Sequence, residues 1–147
     1  MSSQSNGSSQ RSVGGSQSVM VAEILSKREF SSLGTGAVAL ELVGPTFREI
    51  GPQCVDIVIH GKGFNSVNGF SYRVLAQYSY DGEVWEDFTG ALLTVAAADV
   101  NKTRISTPYT TRTNFGRYIR FLVETDDTAN GVAKAQLSIS VAFRFQS

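Results

Sequence analysis

The final segment of the chain, residues 135–145, alternates between apolar and more polar side chains. Its odd positions are all apolar: Ala135, Leu137, Ile139, Val141, Phe143 and Phe145. Its even positions are more polar: Gln136, Ser138, Ser140, Ala142 and Arg144. Because side chains alternate across a strand, this pattern predicts one strand with one dry face. Such a strand needs an apolar layer to pack against, so the chain is expected to build a sheet.

The same period-two pattern recurs from residue 37 onward. The predicted strands are 38–42, 54–60, 72–80, 84–88, 92–95, 102–107, 119–124 and 135–145. Residues 61–69 are predicted to be a glycine-rich loop that ends in the turn pair Asn68-Gly69, and Asp81-Gly82 predicts a two-residue hairpin turn. Strands at this spacing, without a long helix, predict an all-β fold. We expect an antiparallel β-sandwich of jelly-roll or galactose-binding-like architecture.

The predicted strands also carry expected faces. In 38–42, Val38, Leu40 and Leu42 alternate with Ala39 and Glu41. A second set shares one face of 54–60, namely Val55, Ile57 and Ile59. A third set shares one face of 72–80, namely Tyr72, Val74, Ala76, Tyr78 and Tyr80. In a half-buried sheet the apolar set is expected to face the core.

Three segments have a less certain pattern. Residues 19–33 fit a short amphipathic helix with Ser18 as N-cap, and the run Val19-Met20-Val21 fits the start of a strand equally well. Residues 96–101 are predicted to form a helical turn. Residues 126–131 are predicted to be a polar turn that closes on Asn130-Gly131.

Residues 1–18 consist mostly of Ser, Gly and Gln, with Arg11 as the only charged side chain. A segment of this composition buries too little apolar surface to offset the entropy of ordering it. We expect either a disordered tail or an arm that orders only against neighbouring subunits. Residues 19–147 are then a single β-sandwich domain, which is a normal size for one core.

Charge and cysteine content exclude several classes of function. Lys plus Arg and Asp plus Glu are both 13, so the net charge is zero. A nucleic-acid protein needs a basic excess or patch, so nucleic acid is not expected as the main partner. Cys54 is the only cysteine, and neither a secretory signal nor an apolar stretch of membrane-span length is recognisable. These features favour synthesis in the cytoplasm, followed by incorporation into a particle if the protein is a particle component.

Residues 78–85 read Tyr-Ser-Tyr-Asp-Gly-Glu-Val-Trp, and residues 116–121 read Gly-Arg-Tyr-Ile-Arg-Phe. This pairing resembles the discoidin-like (coagulation factor 5/8 C-type) domains and their galactose-binding-like relatives over residues 72–124. The resemblance implies a β-sandwich, in a family whose members often recognise sugars or lipid headgroups through loops at one end of the sandwich. The chain lacks the disulfide that extracellular members carry, and no ligand-binding loop matches residue by residue. Arg117 and Arg120 are expected on opposite faces of their strand, so at least one is expected to pair with a carboxylate or stack on an aromatic ring.

Aromatic and polar side chains near the predicted turns form the candidate binding or interface site. The candidate residues are Tyr80, Trp85, Tyr109, Arg112 and Asn114. Aromatic rings on the rim of a sandwich stack on sugar rings, and Arg or Asn side chains supply hydrogen bonds to hydroxyl groups. The same rings equally well cover the sheet or pack on a neighbouring subunit.

Catalytic and metal-binding patterns are weak in this sequence. Cys54, Asp56 and His60 share a predicted strand face, but six strand residues separate Cys54 from His60 by about 20 Å. No catalytic residue, metal site or cofactor is therefore predicted, and the acidic side chains around the hairpin are expected to be solvated.

The favoured function is a non-enzymatic structural protein, a β-sandwich subunit of a virion, phage or other protein shell. Its expected partners are copies of itself or other assembly subunits. The alternative is a discoidin-like carbohydrate- or surface-binding module, with a glycan as partner. An enzyme is a distant third, because His60 is the only conventional base at neutral pH.

Overall fold

The computed structural model describes residues 17–32, 38–50, 53–110, 116–126 and 132–146. These ranges form ten β-strands and one turn of 3-10 helix, Ala97–Asp99. In chain order the strands are β1 (Gln17–Ser31), β2 (Ala39–Arg48), β3 (Cys54–Val67), β4 (Ser71–Ser79), β5 (Glu86–Asp87), β6 (Leu93–Val95), β7 (Thr103–Ile105), β8 (Tyr109–Thr110), β9 (Tyr118–Asp126) and β10 (Lys134–Gln146). The 3-10 turn confirms the helical turn predicted for 96–101. Residues 127–131 of the predicted polar turn lie outside the described ranges.

All the strand pairs are antiparallel, and they form two five-stranded sheets. One sheet has the order β1-β10-β3-β7, with β8 also on β3, and the other has the order β2-β9-β4-β5, with β6 also on β4. β7 and β8 pair with different parts of β3, so together they occupy one strand position next to β3. In the same way, β5 and β6 together occupy one strand position next to β4. The first four strands alternate between the sheets, which is jelly-roll winding. The predicted all-β antiparallel sandwich is confirmed.

The core lies between the two sheets and is built from the period-two faces. On β10, Leu137, Val141 and Phe143 are fully buried, and on β9, Ile119 and Phe121 are fully buried. The outer residues of β10 remain partly exposed. The alternation that predicted these two strands therefore also assigned their core faces correctly.

β1 resolves the ambiguity of residues 19–33 in favour of a strand, and the helix alternative is wrong. It pairs along its whole length with β10, with register shifts between Glu23 and Leu25 and between Leu25 and Arg28. Lys27 within the second shift has a positive φ of 46°. These bulges let Ile24, Leu25 and Phe30 all reach the core, although their spacing does not follow a simple period of two. The strand starts at Gln17, so the last two residues of the predicted arm belong to the sheet, and residues 1–16 lie outside the described ranges.

β3 differs from its predicted face near its start. The register with β10 shifts between Arg144 and Phe145, opposite Cys54 and Asp56. Because of this bulge Cys54 takes the core position, while Val55, predicted to face the core, is only half-buried. Ile57 and Ile59 are fully buried, as predicted.

The predicted loop 61–69 is wrong as far as Val67, because β3 continues through it. Gly61 pairs with Ile139 and Gly63 with Leu137 of β10. Glycine suits both positions because other elements approach closely: a Cβ on Gly61 would collide with the Tyr72 hydroxyl, and one on Gly63 with the backbone of Val100. The turn itself is confirmed, since Asn68 and Gly69 both have positive φ, as a tight hairpin turn requires.

The predicted strand 38–42 presents its alternating apolar residues to the outside of the sandwich, which overturns their expected core face. Val38, Leu40 and Leu42 are 59%, 55% and 51% exposed. The opposite face of the strand carries Glu41, which is paired with the buried Val123 of β9. The buried Val43 lies on the same face. Period two separates the faces of a strand, but it does not by itself say which face is inside.

The β4–β5 hairpin exists, but its turn is longer than the predicted two residues. β4 ends at Ser79 and β5 starts at Glu86, with Tyr78 paired to Glu86. The connection is held by local side-chain bonds. Ser79 Oγ accepts the N–H of Gly82 at 2.8 Å, and Asp81 Oδ1 accepts the N–H groups of Glu83 and Val84 at 2.8 and 3.0 Å.

Candidate functional site

Two of the sequence-predicted site residues, Tyr80 and Tyr109, belong to one aromatic cluster at an end of the sandwich. Tyr80 packs edge-on against Tyr78 at 6.0 Å between ring centroids, and Tyr78 packs against Phe88 at 5.6 Å. Phe88 in turn lies 5.0 Å from Tyr109. Burial and the neighbouring Glu86 raise the pKa of Tyr78. The cluster joins the β4–β5 hairpin to β8 of the other sheet.

Trp85 lies apart from this cluster, on the outer face of the β2-β9-β4-β5 sheet. The Arg120 guanidinium lies 4.0 Å from its ring, and Arg120 Nε donates to Gln77 Oε1 at 2.8 Å. Gln77 Nε2 donates to Asp87 Oδ1 at 2.7 Å, so β5 is tied back to β4 and β9. The half-buried Trp85 ring is thus fixed by a cation–π contact whose cation is itself positioned by hydrogen bonds.

The candidate residues therefore do not form one site. Tyr80 and Tyr109 share a cluster with Tyr78 and Phe88, and Trp85 belongs to a separate polar network. Arg112 and Asn114 lie outside the described residues.

The contact predicted for at least one of Arg117 and Arg120 is present for both. Arg120 stacks on Trp85, and Arg117 forms an ion pair with Glu49. The Arg117 guanidinium lowers the pKa of Glu49. Both side chains of that ion pair are well exposed, so its contribution to stability is small.

The geometry around Cys54 does not assemble a nucleophile, base and carboxylate. Asp56 is buried and pairs with Arg144 instead of a histidine. Burial, and then the nearby Asp56 charge, raise the pKa of the Cys54 thiol to about 11, which keeps it protonated and unreactive at neutral pH. His60 lies further along β3, opposite Ser140 of β10.

Within the described ranges, no group of three or more His, Cys, Asp and Glu side chains is arranged to hold a metal ion. The same ranges contain no helix of the length and apolarity that a membrane crossing requires.

The most unusual surface feature is one that sequence reasoning missed, the exposed apolar residues on the edge strands. On β2 and at the position just before it these are Val38, Leu40 and Leu42, which we call the β2 stripe. Behind Leu42 lies Leu122 of β9, which is 7% exposed but does not belong to the core cluster, so it extends the stripe across the outer face. Exposed apolar groups in a row are uncommon on monomeric proteins and commonly mark contact surfaces.

Edge strand β1 carries a second exposed apolar set, with Val19 at 59% and Val21 at 68%. The two edge strands belong to different sheets and contact each other. There Arg28 of β1 forms an ion pair with Glu41 of β2, and Ile24 packs on the backbone of Gly44. The sequence does contain a signal for the β2 stripe. The apolar residues of the stripe are at even positions, whereas Val43 is at an odd position, and a regular strand turns only one of these two sets toward the core.

Comparison with known proteins gives a result for the fold. No family model matches the sequence, and no curated protein is similar to it. Among solved structures, that of the infectious bursal disease virus Gx strain superimposes with a TM-score of 0.59 at 16% identity, over 90% of this chain and 32% of that one. The crystal structure of the infectious bursal disease virus VP2 subviral particle superimposes with a TM-score of 0.54 at 14% identity, over 88% of this chain and 33% of that one.

This chain spans about a third of the length of the viral chains that it matches. These matches are viral proteins, and they add nothing specific to discoidin-like domains, so the discoidin resemblance of residues 72–124 stays a prediction. At these identities the likeness concerns the fold alone. The chain shares the jelly-roll β-sandwich of these virus structures.

Proposed function

We propose that the protein is a structural subunit, a β-sandwich that assembles with copies of itself or with other subunits into a shell or particle. The observation that carries the proposal is the jelly-roll likeness over 90% of the chain to an infectious bursal disease virus structure. The proposal extends to its place in the cell: synthesis in the cytoplasm, followed by incorporation into the particle. It assigns no enzymatic step to the protein.

The surface of the sandwich supports this function. The β2 stripe and the exposed residues of β1 place apolar groups on both edge strands, where another subunit has access to them. A net charge of zero gives little electrostatic protection against self-association.

The proposal is tested on the purified full-length chain by sedimentation velocity and negative-stain electron microscopy across a concentration series. We expect species much larger than one chain, including closed or sheet-like particles. A strict monomer at every concentration, with no particle component recovered by pull-down, would refute it.

A second candidate is a carbohydrate- or surface-binding module, and the fixed Trp85 ring favours it. A preorganised, partly exposed indole is a suitable platform for a sugar ring. A glycan array with the wild type, Trp85→Ala and Tyr109→Ala tests this function. Binding lost on Trp85→Ala would support it, and the absence of binding to every glycan would remove it.

A further inference from the structure

β2 is the outermost strand of its sheet, and no described strand pairs with its far side. Natural edge strands usually carry bulges, prolines or lysines that stop them from pairing with another chain. β1, the other long edge strand, has two register shifts and Lys27 in a positive-φ conformation. β2 also has an irregularity of this kind, at Gly44-Pro45, where the register with β9 shifts between Val43 and Phe47. Before it, residues 39–43 pair with β9 without interruption.

The outer face of this regular stretch is apolar. Val38, Leu40 and Leu42 are each more than half exposed, and they follow one another at every second position. Their cross-strand neighbours on β9 are Glu124, opposite Leu40, and the largely buried Leu122, opposite Leu42. The stripe therefore reaches from the sheet edge toward the middle of the face.

Glu41 is the one charge within residues 39–43, and an inward-facing charge on an edge strand normally blocks pairing. Here Arg28 of β1 forms an ion pair with Glu41. A strand that pairs with β2 would therefore meet a neutralised ion pair and not a bare carboxylate.

We propose that β2 pairs antiparallel with β2 of a second copy of this chain, with the two-fold axis at Leu40. This inference rests on the proposed assembly function and specifies one of its contacts. The register places Leu40 opposite the partner's Leu40 and Val38 opposite the partner's Leu42, so the two stripes join into one. It also places Glu41 opposite the partner's Ala39.

A second copy fits this edge because the stripe is complementary to itself under a two-fold rotation. A two-fold axis at Glu41 would set two carboxylates directly opposite each other, which is destabilising. The axis at Leu40 avoids that contact and keeps each Glu41 beside its own Arg28. The joined strands extend the sheet across the two copies, in the manner of strand addition.

The first test is charge exchange at the axis, followed by sedimentation velocity. Leu40→Lys alone and Leu40→Glu alone place like charges opposite each other, and we expect roughly a tenfold or greater loss in the association constant for each. An equimolar mixture of the two should recover association as a mixed dimer. Val84→Lys and Val84→Glu are the matched controls, because Val84 is 68% exposed in the β4–β5 connection, and these should change nothing.

The second test examines the register within one chain. Val38→Lys/Leu42→Glu places opposite charges across the pair and should keep association, whereas Val38→Lys/Leu42→Lys places like charges there and should lose it. All these positions are more than half exposed, and circular dichroism checks that each variant is folded.

The outcomes separate the contact from the general function. If the wild type forms particles and the Leu40 variants form them equally well, the β2 contact is wrong and the assembly proposal stands. If the single variants dissociate but the mixture does not recover, the register is wrong. A wild type that stays monomeric overturns both.

Discussion

At the scale of single residues, Gly63 shows how closely the segments of this sandwich approach one another. Its N–H donates to the carbonyl oxygen of Val100 at 2.7 Å, just after the 3-10 turn. A Cβ at this position would lie 2.5 Å from that oxygen and from Val100 Cγ1. Such a contact forces the backbone of one segment to move.

We therefore expect Gly63→Ala to lower the free energy of unfolding by about 1–3 kcal/mol, as overpacking does in other cores. Urea unfolding followed by tryptophan fluorescence measures the change. A Gly63 variant as stable as the wild type would contradict the close approach.

Asp81 gives the stability of the β4–β5 connection a pH dependence. The N–H groups of Val84 and Glu83, and then the Ser79 side chain, hold the pKa of Asp81 below its ordinary value of 3.8. A pKa that is lower in the folded state contributes stability that is fully present above 3.8 and is lost as the pH falls through the folded-state value.

We expect Asp81→Ala to be less stable than the wild type at pH 7, and the difference to shrink as the pH falls below 3.8. Urea titrations of both proteins across the acid range measure it. Glu83→Gln, which removes a carboxylate from the same connection, is the control and should change the pH profile less. A constant difference at every pH would show that the charge of Asp81 does not matter.

At the scale of elements, the strands within each sheet differ in how well they could be predicted. β10 and β9 were assigned correctly, because alternation alone defines both a strand and its buried face when one side is clearly more polar. β2 received the wrong face, and β3, which starts at Cys54 as predicted, received the wrong face at Val55 and an end at residue 60 instead of Val67. The position of a bulge, or of a glycine that another segment approaches closely, depends on the neighbouring strand. A period-two pattern within one strand therefore does not predict it.

The inner face of β10 provides an element-scale test of the core. Ile139 is 1% exposed, so Ile139→Asp buries a charge without a partner, and we expect this variant to be unfolded at room temperature. Ser140→Asp, one residue further on the partly exposed outer face, is the matched control and should remain folded. Far-UV circular dichroism and one-dimensional NMR distinguish the two. A folded Ile139 variant would mean that the core face of β10 is assigned wrongly.

At the scale of the whole molecule, the first strand begins at Gln17, and residues 1–16 lie outside the described ranges. A deletion of residues 1–18 would remove Gln17 and Ser18, which pair with Gln146 and Phe145. The better variant for testing the arm therefore ends at residue 16.

We expect deletion of residues 1–16 to leave the thermal unfolding midpoint unchanged and to reduce the fraction of protein in large assemblies. Differential scanning calorimetry and sedimentation velocity measure the two effects separately. A lower midpoint would show that the segment belongs to the core. Unchanged assembly would favour a disordered tail over an arm that binds neighbouring subunits.

The candidate site was predictable only in part. The aromatic residues of the Tyr-Ser-Tyr-Asp-Gly-Glu-Val-Trp segment stand out in the sequence, and so does the arginine pattern that follows it. Whether Trp85 meets Arg120 or Tyr109 depends on which face of the sheet each side chain occupies. Arg120 and Tyr109 are both distant from Trp85 in the sequence, so the register between strands decides which of them shares a face with it.

The sequence alone determined that this chain makes an antiparallel sandwich, because the alternation of apolar and polar side chains is a local property of each strand. Tertiary structure decided which apolar residues are covered. Leu40 and Leu137 have similar local patterns, yet one lies on an exposed edge and the other in the core. Burial depends on the surface that packs against a side chain, and among the described residues Leu40 has no surface that covers it.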